Sequence, residues 1–362
     1  MKWFFAIITT FCLFSANAQG PTPHGFSNEQ LESMALQNLA LAQQERSLGI
    51  NRAAGSVLPF AEYQSTGFVV FSDDDYYGMA EEIKATIAKN LPANTMLLIY
   101  TDSSSKNYHT QLFNQYSKYI SGDRLRILQV PATGSNNFWT RDNLPLPVWD
   151  NSQFALVDAR YYYNFEPDVF FKNLFGVSMT SHKYFYEGGN FITNSLGNCI
   201  VVNRRKSYPG GVSDTAAIPD DIFKSLYGCK TLMRLKHLKG IGHADEVVKF
   251  MSDTLIITDT PDYATQLKNA GFDVMMMPEP ELDYETYINS LQVNDTIFVP
   301  TFGESGDQTA IAAYKQLGLK VIPIPTRELA TGGQGGIHCI TMNYPPSALS
   351  SVVSRMGAQI VK

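Results

Sequence analysis

From residue 57 onward the chain alternates short apolar runs with stretches of helical character. Residues 68–71, 96–100 and 125–130 read as strands and 79–89 and 108–120 as helices, which specifies an α/β fold. Later apolar runs at 199–202, 255–258, 274–277, 297–299 and 321–324 are also short, with a helical stretch at 309–316 between the last two. Pro131, Pro278, Pro300 and Pro325 recur at the ends of such runs, where a residue without an N–H stops the ladder and turns the chain. The recurrence hints at a repeated unit that has no fixed sequence period. No low-complexity linker divides 57–362, so that stretch reads as one catalytic-size domain. The chain of 362 residues is 44% hydrophobic and 17% charged, enough apolar material for one large core or two ordinary ones.

Residues 1–18 have the form of an export signal. Lys2 gives the charged start, residues 3–14 an apolar run, and Ala16-Asn17-Ala18 a small-residue cleavage pattern, so the mature chain is expected to begin at Gln19 and to be periplasmic or secreted. As a membrane span the apolar run falls short of the roughly 20 residues required. Residues 19–56 read as a separate helical segment, either a pro-segment or a packing arm. Ser27 followed by Gln30 forms a capping box, and Leu31, Met34, Leu39 and Leu41 suit a helix. The net charge of -6 comes from scattered acids with no basic stripe, which argues against a nucleic-acid partner. Export leaves Cys199, Cys229 and Cys339. Either the first two pair and Cys339 stays free, or all three are reduced.

Cys339 follows Gly332-Gly333-Gln334-Gly335-Gly336-Ile337-His338. Glycines in that density permit positive φ angles and close approach to another group, and the absence of Lys or Arg from the stretch disfavours a phosphate cradle. A lone cysteine there is more often a core filler than a nucleophile. Three other stretches alter that balance: Trp139-Thr140-Arg141-Asp142, Glu187-Gly188-Gly189-Asn190, and Gly242-His243-Ala244-Asp245 running into an apolar strand at 247–250. Each has a dull explanation as a turn cap, a surface acid or a satisfied polar pair. In a strand, however, His243 and Asp245 would share one face. With Cys339 these stretches supply a thiol, an imidazole and three carboxylates, the groups needed to attack a planar cationic carbon. Carboxylates accept the N–H fork of a guanidinium bidentately. A bound cation lowers the thiol pKa, a histidine passes protons to departing ammonia, and a Glu beside that histidine is expected to keep it protonated.

Taken in order, these motifs and the closing Gly-Gly-Ile-His-Cys-Ile-Thr resemble the agmatine deiminase and bacterial (Porphyromonas-type) peptidylarginine deiminase family. The likeness begins near Leu58-Pro59-Phe60-Ala61-Glu62-Tyr63 and runs to about Pro345. It implies a five-bladed pseudo-symmetric α/β propeller of the pentein type with its site on the axis. By the family's pattern Cys339 is the nucleophile, His243 the general acid and base, and Glu187 its support. Asp142 and Asp245 grip the guanidinium, Asn289 and Trp139 join the substrate site, and no metal or other cofactor enters. The reaction implied is hydrolysis of a guanidinium to a ureido product and ammonia through a covalent thiouronium.

Two departures bear on the substrate. Leu144 stands where the family usually has Gly, beside the loop of Asp142. The peptidylarginine branch carries two arginines for a terminal carboxylate about where this chain has Tyr163-Asn164-Phe165-Glu166, with Arg160 single and nearby. Agmatine and arginine side chains both remain as substrates, so citrulline formation on peptides is the alternative reading. A secreted cysteine peptidase would also use Cys, His and an acid, but it has no use for further carboxylates around the thiol. A non-catalytic binding protein would have no need to keep every one of these groups.

Overall fold

The computed structural model describes residues 24–53, 55–131, 138–162, 167–204, 213–346 and 352. The expected export signal at 1–18 and the stretch 163–166, compared above with the arginines of the peptidylarginine branch, lie outside the described residues.

Helix α1 (Asn28–Ser47) begins at the capping box that Ser27 and Gln30 announce, both reciprocal bonds being present. Its buried side is built less on leucines than on Met34, Ala35, Asn38 and Ala42. Asn38 donates to the carbonyls of Phe185 and Asp214 and accepts from the Phe185 N–H, which fixes the helix against the body. Strand β1 (Val57–Pro59) follows. The next elements are β2 (Phe68–Ser72), α2 (Glu81–Asn90), β3 (Met96–Thr101), α3 (Lys106–Tyr116) and β4 (Leu125–Gln129). Then come α4 (Thr140–Asn143), β5 (Leu146–Asp150), β6 (Gln153–Arg160), α5 (Asp168–Phe175) and β7 (Ser178–Phe185). A third group is β8 (Ile192–Thr193), β9 (Asn198–Asn203), α6 (Asp220–Ser225) and β10 (Thr231–Lys236). A fourth is β11 (Val248–Phe250), β12 (Leu255–Thr258), α7 (Pro261–Asn269) and β13 (Asp273–Met276). The last elements are β14 (Leu291–Val293), β15 (Thr296–Thr301), α8 (Gly306–Gln316), β16 (Lys320–Pro325), α9 (Arg327–Gly333) and β17 (Met342–Tyr344).

Among the described residues one pattern recurs in five sheets. A short first strand pairs antiparallel with a second, a helix crosses over, and a third strand lies parallel to the second. The triplets are β5-β6-β7, β8-β9-β10, β11-β12-β13 and β14-β15-β16. The fifth is β17-β2-β3, which brings the late strand β17 back beside an early one. Strands β1 and β4 extend two of the sheets at their edges. This is the repeat at which the prolines hinted. Both faces of the β2-β3 sheet are buried: Phe68, Val70 and Leu98 enter one apolar cluster, and Val69, Phe71, Leu97 and Ile99 another. A sheet covered on both sides needs continuous rather than alternating apolar strands, which is how these runs read.

Pro300 corrects the expectation that it ends its strand, since it lies inside β15 opposite Ile324. It is tolerated because β14 runs beside β15 only as far as Phe298, so the ladder on that side has already stopped. Cys199 and Cys229 form a disulfide between β9 and the turn before β10, and among the described residues Cys339 is the free, buried thiol.

Candidate active site

Each sheet's first strand is preceded by a tight turn, and the polar residues singled out by sequence lie on these turns. Asp142 is in α4, ahead of β5. Glu187 stands immediately before the 3-10 turn Gly188–Asn190 ahead of β8, and His243 immediately before the 3-10 turn Ala244–Glu246, which contains Asp245, ahead of β11. Asn289 stands just before β14, and Cys339 just before β17. The turns touch in a ring. Gly189 N–H donates to Asp142 Oδ1 at 3.0 Å, and His243 Nε2 lies 3.0 Å from Glu187 Oε2. Asn289 Nδ2 reaches the Asp245 carbonyl at 3.4 Å and Cys339 Sγ at 3.1 Å. Arg141 N–H closes the ring on the Cys339 carbonyl at 3.0 Å.

His243 and Asp245 do converge on one centre, but not through strand alternation. The 3-10 turn that ends before β11 aims them, which corrects the strand-based expectation. The glycine run also works differently from its first reading. Its left-handed position is Gln334, at φ 63°, and the glycines serve close approach. A Cβ on Gly335 would lie 2.6 Å from the Trp139 ring, and one on Gly336 would lie 2.7 Å from Asn289 Oδ1. Leu144, the residue standing in for glycine, is extended and buried in the core, so it leaves the turn of Asp142 unstrained.

The site is buried and rich in carboxylates. Burial first, and then Asp245, Glu246 and Asp142, push the Cys339 thiol well above its usual range, so it is a neutral thiol in this state. Burial would raise the Asp142 carboxyl, but the His24 and His243 imidazoles and the Gly189 N–H bring it to about 2. Burial and the Arg204 guanidinium drive His243 well below its usual value against the pull of Asp142. Glu187 was expected to keep that imidazole protonated. Its Oε2 does lie against His243 Nε2, but the same oxygen also accepts from Arg204, whose guanidinium lies 2.7 Å from His243 Nε2 as well. Asp245 Oδ2 lies 3.9 Å from Cys339 Sγ, while its buried Oδ1 has no hydrogen-bond partner among the described residues. His243 Nδ1 is a second such atom.

Gly189 marks the point where these groups meet. A Cβ there would lie 2.7 Å from His243 Nδ1, 2.8 Å from Asp142 Oδ1 and 3.2 Å from Asp245 Oδ2. Gly189→Ala is therefore expected to keep the fold while lowering turnover on the order of 100-fold, the scale of a misplacement near 1 Å. Steady-state kinetics beside a thermal melt would check it, and near-normal turnover would mean that the three groups do not act at one centre.

A second layer lies beneath Asp245. His338 bridges Asp245 Oδ2 and Glu62 Oε2, each at 2.7 Å, and Glu62 also holds Lys249 at 2.6 Å. Burial alone would raise the Glu62 carboxyl, but Lys249, His338 and Arg141 outweigh it and hold it far below the carboxylate range. Glu62 and His338 both sit inside motifs visible in the sequence, although neither was given a role. Arg204 and His24 carried no signal at all. His24 donates into Asp142 and stacks on Trp139 with ring centroids 4.3 Å apart and 13° between planes. His24, Asp142 and His243 also offer ligand atoms within 4.8 Å of one another, close enough for a divalent ion, but the direct His24–Asp142 bond already engages that carboxylate.

A family model described as Porphyromonas-type peptidyl-arginine deiminase matches residues 64–345. Among curated relatives, a Streptococcus mutans protein assigned as an agmatine deiminase is 33% identical over 95 residues, covering 25% of this chain and 26% of its own length. One from Legionella pneumophila, with the same assignment, is 28% identical over 274 residues, covering 62% and 76%. The chain thus spans only about a quarter of the first relative. The solved agmatine deiminase of Enterococcus faecalis is similar in fold, with TM-score 0.63 and 17% identity over 82% of this chain and 99% of that one.

Proposed function

The chain belongs to the Porphyromonas-type peptidyl-arginine deiminase family, and from that premise we propose that it is a hydrolase of amidine C–N bonds that deiminates a small guanidine through a covalent intermediate on Cys339. One observation carries the reading: a buried thiol shares a centre with an imidazole and carboxylates delivered from successive turns of one ring. We read the five repeats joined through that ring as the blades of a five-bladed α/β propeller with the site at its axis.

The guanidinium is gripped by Asp142 and Asp245, whose unpartnered Oδ1 supplies an acceptor, with its plane against Trp139. Its positive charge offsets the carboxylates that, after burial as the larger cause, hold the thiol neutral, so the proton passes to the neutral imidazole of His243. The thiolate attacks the central carbon and forms the S–C bond. One C–N bond breaks as His243 returns the proton to departing ammonia, leaving a thiouronium. Water then adds to that carbon and yields a proton to His243, and the S–C bond breaks to release the ureido product and restore the thiol. Asn289 holds the sulfur, while Arg204 fixes Glu187 and the orientation of His243. A cysteine peptidase fits poorly, because the carboxylates of Asp245 and Asp142 would oppose the oxyanion that peptide cleavage builds.

For the substrate's far end, the stretch 161–165 has no arginine and is followed by Glu166, which suits an amine tail and repels a carboxylate. We place an agmatine-like amine-tailed guanidine first, with export through residues 1–18 making the activity periplasmic or secreted. Ammonia release from agmatine, free arginine and arginine peptides tests this directly. A higher kcat/KM for agmatine than for a peptide ending in Arg is expected, and the reverse order would make the enzyme a peptidylarginine deiminase.

A further inference from the structure

The groups that would receive substrate are already engaged by the chain's own N-terminal segment. His24 is 2% exposed, and the side chains of Asp142 and His243 are fully buried, as is Cys339. The His24 ring does what a bound guanidinium would do: it lies flat on the indole of Trp139, donates from Nε2 to Asp142 Oδ2, and stands edge-on to His243 with centroids 5.0 Å apart. Nothing about α1 requires a buried histidine in that position, because the helix is capped by Ser27 and anchored through Asn38. The short stretch before the cap is seated by contacts of its own. His24 N–H donates to the Gly333 carbonyl at 2.8 Å, and Phe26 packs edge-on to Tyr162 at 5.4 Å and over the Arg204 guanidinium at 5.5 Å. Gly25 passes so close to Gln334 that a Cβ would lie 2.5 Å from its Oε1.

We propose that His24-Gly25-Phe26 is an intramolecular plug, a tethered planar ring that occupies the guanidinium cradle and must withdraw before substrate reaches Cys339. The proposal rests on the deiminase reading of the site. Because α1 stays anchored, the plug leaves by swinging about the segment between Phe26 and Ser27, and the loss of one hydrogen bond to Asp142 is made good by the incoming guanidinium. A plug of this kind lowers apparent affinity by the fraction of molecules in which the cradle is open, without changing the chemistry that follows.

The test uses the full chain and two readouts. The first is the rate at which neutral iodoacetamide alkylates Cys339, located by peptide mass spectrometry, which needs no turnover. The second is KM and kcat for agmatine. His24→Ala is expected to raise the alkylation rate at least tenfold and to lower KM by a similar factor, with kcat little changed. Phe26→Ala, which loosens the seat without removing a contact to Asp142, Trp139 or Cys339 and reaches the site only through Arg204, should move both readouts the same way by a smaller factor, and it carries the test if His24→Ala fails to fold. An unchanged alkylation rate in the variants would overturn the plug. So would a fall in kcat with unchanged alkylation, since His24 would then be part of the working site. If alkylation rises but no variant releases ammonia from any guanidine, the plug stands and the deiminase reading falls.

Discussion

Replacing Cys339 by serine is expected to leave the fold intact and to reduce guanidine turnover on the order of ten-thousand-fold or more, the scale seen when a nucleophile that works as part of a unit is removed. The physical case lies in the site's charge. Burial first, and then the carboxylates of Asp245 and Asp142, hold even a thiol in its neutral form, and a hydroxyl in the same place would be still harder to ionise. Volume is nearly conserved, and Asn289 Nδ2 retains an acceptor, so stability should change little. A haloacetamidine, which presents the cationic amidine plane beside a leaving group, should label Cys339 in the parent protein and leave the serine variant unlabelled. Labelling elsewhere with concurrent loss of activity would remove Cys339 from the role of nucleophile.

Asp245→Asn should have the second-largest effect, a loss of about 3–5 kcal/mol in kcat/KM, as when one partner of a buried charge pair is removed. The amide turns an N–H donor toward a substrate made of donors. It also weakens the bond from His338 Nδ1, so the chain through Glu62 and Lys249 loses the anion at its end. Asp142→Asn is the less clean experiment, because Asp142 also holds His24 in the resting state and the variant changes both the occupant and the cradle. Binding of a non-hydrolysable guanidine by titration calorimetry separates grip from chemistry. If Asp245→Asn binds it as tightly as the parent does, this carboxylate is not a guanidinium ligand.

Much of this protein is legible without coordinates, and the reason differs from part to part. The α/β class follows from apolar runs too short for anything but strands, and the capping box at Ser27 is a local bond that sequence spacing alone specifies. The motifs around Asp142, Glu187, His243 and Cys339 are visible because polar residues clustered beside glycines and ahead of apolar strands are not what a core requires. What spacing cannot give is the equivalence of those motifs. Each is a turn before the first strand of a repeat, a fact that exists only once strands 291–293 and 342–344 are paired with their partners. The same holds for direction: His243 and Asp245 meet through a 3-10 turn, and a strand would have been a local guess with the wrong geometry. Protonation is also a tertiary property, since it is burial together with Arg204 that leaves His243 neutral, and Arg204 lies 39 positions away in a stretch without any motif. The sequence by itself determined the fold class and the chemical inventory, because strand length, capping and residue type are local. Only the tertiary structure decided that His24, 118 positions from Asp142, lies in the cradle, because long-range contacts leave no periodic trace in the chain.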